Sequence, residues 1–120
     1  AHLSVFNATG LELTLSLQLG IPLYACDPAH KDLGSKSGSR KLFRAVDVPC
    51  PDGFEDLRDS ADIATAIAAL KQRNPQLTRA VVKFNEGFSG DGNAVFDYAP
   101  EDPQPLTGAW VELELWRRLK

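Results

Sequence analysis

The sequence contains no methionine, and it has only two cysteines and two histidines in 120 residues. Lacking Met, the chain does not open on its own initiator residue. Removal of an initiator ahead of Ala1 is one explanation; excision from a longer protein is the other, and it is the one expected here from the motifs below. Cys26 and Cys50 form no CxxC pair, and neither His2 nor His30 has a partner at ligand spacing, which argues against a zinc site. Two small buried thiols are expected, with a disulfide or redox role as the lesser alternative. No apolar run approaches the ~20 residues that a bilayer-spanning helix requires. No signal-peptide pattern opens the chain either. The reading is a soluble, cytoplasmic protein with no membrane partner.

What is present suits one compact domain. Hydrophobic residues make up 43% and charged residues 24%, both ordinary for a globular chain with a real core. The net charge of −3 hides an asymmetry. Lys31, Lys36, Arg40, Lys41 and Arg44 face a single acid, Asp32, giving a local balance of +4 and leaving −7 for the rest. A basic island on an acidic protein favours a local anionic ligand over a long nucleic acid, which needs a broad positive surface. A helix with a solvated basic face would show the same pattern.

Residues 2–6 read as a short strand and 7–10 as a turn. Leucines at 11, 13, 15, 17 and 19 alternate with period two, as in a strand. Against that, Leu, Glu and Gln favour helix, and Gly20 followed by Pro22 resembles a helix stop. The helix is the expectation. Left without a neighbour, these leucines would form an exposed patch that favours a homodimer. Residues 21–26 then form a strand. A helix is expected over 32–47, capped by Asp32 or Ser35, with Leu42, Phe43 and Val46 on one apolar face. Pro49 and Pro51 end it, and residues 48–54 form a stiff connector. A second helix runs from Ser60 or Ala61 to Arg73, with Ser60 as cap and Ile63, Ile67 and Leu70 on one face. Strands are expected over 79–86 and 93–98, a loop over 99–107, and a closing helix over 109–119 with Trp110, Leu113 and Trp116 or Arg117 on one side. The fold class is α/β (α+β), a small mixed sheet with packed helices.

The segment 80–98 carries the clearest chemistry. Two apolar strands are joined by a connection with glycines at 87, 90 and 92, the pattern of a hairpin with a long loop. Glycines let a backbone approach a ligand closely, and successive exposed N–H groups make an anion-binding concavity. Lys83, on the strand face shared by residues 81 and 85, stands four residues before the loop and can reach phosphate oxygens. No Gly-Lys-Ser/Thr follows the loop, which excludes the P-loop pattern, and the loop leads into a strand, which excludes a dinucleotide fingerprint. Glu86 and Asp91 oppose anion affinity, although Asp91 can point outward. A hairpin whose glycines serve only the turn, with Lys83 solvated, is the plainer alternative.

Three segments together resemble the N-terminal lobe of the ATP-grasp ligases. They are Gly34 to Phe43 (GSKSGSRKLF), Val48 to Gly53 (VPCPDG) and Val81 to Asn93 (VVKFNEGFSGDGN). The family shows a lysine opening a helix, a VPxPxG connector, then a second lysine on a strand before a glycine-rich flap, in this order. The resemblance covers most of the chain and is nearest to the peptide-ligase-like members. It implies that residues 1–30 end a preceding pre-ATP-grasp segment and that 31–120 form the lobe. It implies further that Lys36 and Lys83 contact ATP phosphates and that Ser89, Gly90 and Gly92 belong to the loop closing over them. The activity implied is phosphorylation of a small-molecule carboxylate, followed by attack of an amine on the acyl phosphate. Mg²⁺ would be held in the full-length enzyme by ligands outside this chain. Glu101, Asp102, Glu112 and Glu114 lack the strand-and-Asn context of a metal site, so this chain alone is expected to be inactive as a ligase. A free-standing nucleotide- or anion-binding module, or an interaction domain of the same fold, is the alternative.

Overall fold

The structure, a computed structural model, describes residues 1–87 and 89–119; Phe88, within the expected loop, and Lys120 lie outside the described residues. The described chain is a mixed α+β fold with two small sheets rather than a single mixed one. Strand β1 (Leu3–Ser4) pairs in parallel with β2 (Leu23–Tyr24) across helix α1 (Gly10–Leu19). A 3-10 helix (Pro28–Gly34) precedes α2 (Lys36–Ala45), and α3 (Ser60–Arg73) follows the connector. Strands β3 (Arg79–Lys83) and β4 (Asn93–Asp97) pair antiparallel, and α4 (Gly108–Arg118) closes the fold.

Local capping decides the ambiguous leucine segment. Thr9 and Glu12 form a reciprocal capping box, and Gly20 ends α1 in the left-handed conformation at φ 64°. Wound into a helix, leucines at every second position spread to opposite sides. All five remain exposed, from Leu13 at 40% to Leu11 at 80%. The expected 32–47 helix is interrupted, because Ser35 adopts an extended conformation and caps α2 by accepting from the Gly38 amide. The cap of α3 is Asp59 rather than Ser60: the Asp59 carboxylate accepts from the Asp62 amide at 2.8 Å.

The core lies between α3, α4 and the hairpin. Ile67, Phe96, Leu106, Val111 and Leu115 are buried there, and Ala64, Ala68 and Ala80 keep the layers close. Tyr98 donates its hydroxyl to the Ile67 carbonyl at 2.8 Å, and burial pushes its pKa up to about 12. Burial departs from expectation in three places. The buried side of α4 is Val111 and Leu115, whereas Leu113 and Trp116 are 78% and 77% exposed. At the end of that helix Arg118 reaches the buried Asp102 while its guanidinium lies over the Phe96 and Trp110 rings. The thiols are not both buried either: Cys26 is exposed and Cys50 half-buried, both free, since one lies just past a two-stranded sheet and the other on the proline-stiffened connector. The apolar face of α2 likewise stays exposed at Leu42, Phe43 and Val46.

The radius of gyration is 19.1 Å, against about 14 Å for a compact chain of this length. The molecule is elongated, with extents of 63 × 31 × 19 Å. No helix of the described residues is long and apolar enough to cross a membrane.

Candidate functional site

The site is built where α2 begins. Gly38 is required there, since a Cβ at that position would stand 1.8 Å from the Asp32 carbonyl oxygen. Its absence lets the 3-10 helix fold back and puts Lys36 in the first turn of α2. The Lys36 ammonium donates to the Gly87 carbonyl at 2.6 Å. The next amide, of Ser37, donates to Asn85 Oδ1 at 2.8 Å. A longer contact, 3.4 Å, runs from the Lys36 amide to the Asn85 main-chain carbonyl. Lys36 and the glycine loop, far apart in sequence, are therefore joined directly.

Lys83 behaves differently. It is the last residue of β3, opposite Asn93, and it is exposed while Ala80 and Val82 turn toward the core. Its ammonium makes no hydrogen bond or ion pair among the described residues, and no bond links it to Lys36. In the loop, Ser89, Gly90 and Gly92 all have positive φ, at 48°, 88° and 71°. Part of the glycine requirement is internal. A Cβ on Gly92 would lie 2.2 Å from the Phe84 ring, and one on Gly87 would lie 2.5 Å from the Asp91 carbonyl oxygen. Gly92→Ala combines that clash with an unfavourable φ. It is expected to lower stability by roughly 1–3 kcal/mol, as read by chemical denaturation, whereas Gly90→Ala, with its nearest neighbour atom at 3.8 Å, faces the φ cost without the clash.

The basic island is largely neutralised by two acids just past the connector. Arg40 and Arg44 both pair with Glu55, and Lys41 pairs with Asp56. Arg40 also donates to the Pro51 carbonyl at 2.8 Å and lies over Gly53, where a Cβ would meet its guanidinium at 3.0 Å. The connector continues to α3 through Asp52, which pairs with Arg73 at 3.0 Å and accepts from Asn74 at 2.7 Å. Sequence reasoning missed Glu55, Asp56 and Asn85, because their partners are separated from them by 11 to 48 residues and no periodicity marks such pairs. Two clefts flank α2. One of about 430 Å³ is lined by Arg40, Arg44 and Cys50, and one of about 520 Å³ by Leu33, Ser35, Ser37, Lys41 and Asn85. Both fall in the range of small-molecule sites.

Burial pushes the Glu55 carboxyl up, but the hydrogen bonds from Arg44 and Arg40 outweigh it and hold the group below its ordinary value of 4.5. A depressed carboxylate contributes stability above its unfolded pKa and loses it as pH falls through the folded one. The wild type is therefore expected to lose its stability margin over Glu55→Gln as pH drops below about 4.5, a convergence that urea midpoints across pH 3 to 6 would read.

Among the described residues, no group of three or more His, Cys, Asp or Glu side chains could hold a metal ion.

The structure thus defines a mixed α+β domain whose glycine-loop hairpin docks on a lysine at the start of a helix. The model of the IQCH-like ATP-grasp family matches residues 28–104, and the chain belongs to that family. It is similar to IQ motif-containing protein H of Danio rerio, 27% identical over 107 residues that make up 88% of this chain and 10% of that protein. The chain therefore spans about a tenth of the length of that relative. No solved structure matches it.

Proposed function

We propose that this chain is the ATP-binding N-terminal lobe of an ATP-grasp carboxylate–amine ligase of the peptide type, incomplete on its own. The observation that carries this reading is the direct contact of Lys36 with the glycine loop in a chain of the ATP-grasp family. A cation beside backbone donors neutralises charge on a transferring phosphoryl group. In the proposed reaction a substrate carboxylate oxygen attacks the γ-phosphorus and ADP leaves. The amine then attacks the acyl carbon and inorganic phosphate departs. Lys36 and Lys83 would hold phosphate oxygens, and Ser89, Gly90 and Gly92 would supply the covering backbone. Mg²⁺ would be bound by residues outside those described. Two free thiols fit a reducing compartment such as the cytoplasm.

A second reading, a nucleotide- or anion-binding or interaction module without catalysis, is favoured by one observation. The Danio rerio relative is named for its IQ motifs and not for an activity. Calorimetry with Mg-ATP separates the nucleotide-binding readings from an interaction module. The first reading expects binding by the wild type and several-fold weaker binding by Lys83→Ala. Absence of binding at millimolar ATP would favour an interaction module. Robust ATP-dependent ligation by these 120 residues would contradict the incompleteness of the lobe.

A further inference from the structure

One group assigned to phosphate, the Lys36 ammonium, and the neighbouring Ser37 amide already face the protein's own oxygens. Gly87 supplies a carbonyl to the Lys36 ammonium at 2.6 Å, and Asn85 supplies its carboxamide oxygen to the Ser37 amide at 2.8 Å. The Ser35 hydroxyl caps α2 at the Gly38 amide and leaves the Ser37 amide to a partner from outside the helix. Neither loop bond closes the hairpin, which the Phe84 amide does by donating to the Gly92 carbonyl at 2.8 Å. Both acceptors are neutral oxygens of exposed or half-buried loop residues, so water or an anion could replace them at little cost in buried surface. An oxygen acceptor facing an ammonium and a first-turn amide has the chemistry of a phosphate oxygen, with less charge.

We propose that Asn85 and Gly87 act as built-in competitors for phosphate at Lys36 and the Ser37 amide. The proposal rests on the reading of Lys36 as a phosphate contact. A bound triphosphate displaces the two loop oxygens, and the apparent nucleotide affinity is reduced by the fraction of molecules in the self-occupied state. Asn85 is then a tuning residue for affinity, acting by occupying a donor and not by touching the ligand.

The test is a calorimetric titration of the wild type, Asn85→Ala, Asn85→Asp and Lys36→Ala with Mg-ATP and with inorganic tripolyphosphate. Removing the competing carboxamide is expected to tighten both ligands about five-fold, the effect of one hydrogen bond. The isosteric Asn85→Asp places a charged, stronger competitor on the same amide and is expected to weaken both by at least as much. Equal or reversed order between the two Asn85 variants, with Lys36→Ala still weakening binding, would overturn the competition and leave the phosphate reading intact. Failure of all four proteins to bind either ligand would overturn both. Circular dichroism of each variant establishes that the hairpin variants fold, and the isosteric Asn85→Asp carries the test if the alanine variant does not.

Discussion

Arg118→Ala is expected to be the most destabilising single substitution of a charged residue in this chain, at about 3–5 kcal/mol. Asp102 is 1% exposed in its side chain, and its Oδ1 lies 2.8 Å from an Arg118 terminal nitrogen without an aligned hydrogen bond. Its Oδ2 accepts from the Ala99 amide at 2.9 Å and from Arg118 at 3.0 Å. Removing Arg118 leaves that carboxylate buried with a single amide donor, and it strips the guanidinium from the Phe96 and Trp110 rings. Asp102→Ala is expected to cost less. The freed Arg118 side chain, already 22% exposed, can turn to water and can still pair with Glu114. Urea denaturation of the two variants checks the order, and a larger loss for Asp102→Ala would contradict it. Folded domains hold a margin of about 5–15 kcal/mol, so Arg118→Ala removes a large share of it.

The second large effect is on ligand binding. Lys36→Ala is expected to weaken Mg-ATP roughly ten- to a hundredfold, the range for a charge-assisted hydrogen bond of about 1.5–3 kcal/mol. The same change removes the bond to Gly87, so the loop should lose amide protection in hydrogen exchange even without ligand. Lys83→Ala should weaken binding less, since that ammonium is exposed and solvent-screened. A larger effect at Lys83 than at Lys36 would reverse the assignment of roles.

How much of this could be read from the residues depends on the range of the interaction. The hairpin was legible because strand alternation and glycine spacing are local, and its two strands pair in register from Arg79 with Asp97 to Lys83 with Asn93. Helix α1 was legible from the helix propensity of Leu, Glu and Gln and from the Gly20 stop, and the structure adds the Thr9–Glu12 box at its start. The face of α4 was misjudged because two tryptophans and a leucine at helical spacing look like a core. The helix instead buries Val111 and Leu115, and its end is tied down by the long-range Arg118–Asp102 pair. The meaning of the basic island was hidden for the same reason. Glu55 and Asp56 reach it only after the connector folds back across α2. Of the five residues expected at the site, Lys36 meets the loop and Ser89, Gly90 and Gly92 shape its turn, while Lys83 stands apart on the strand. Part of what the glycines do is make room for Phe84 and the Asp91 carbonyl.

The central claim is that the start of α2 and the glycine loop together hold nucleotide phosphates. Amide-resolved NMR of the wild type titrated with Mg-ATP tests it most directly. The account predicts saturable shifts at Lys36, Ser37, Asn85, Gly87, Gly90 and Gly92, absent in Lys36→Ala. Shifts confined to α1 or α4, or none at millimolar nucleotide, would contradict it.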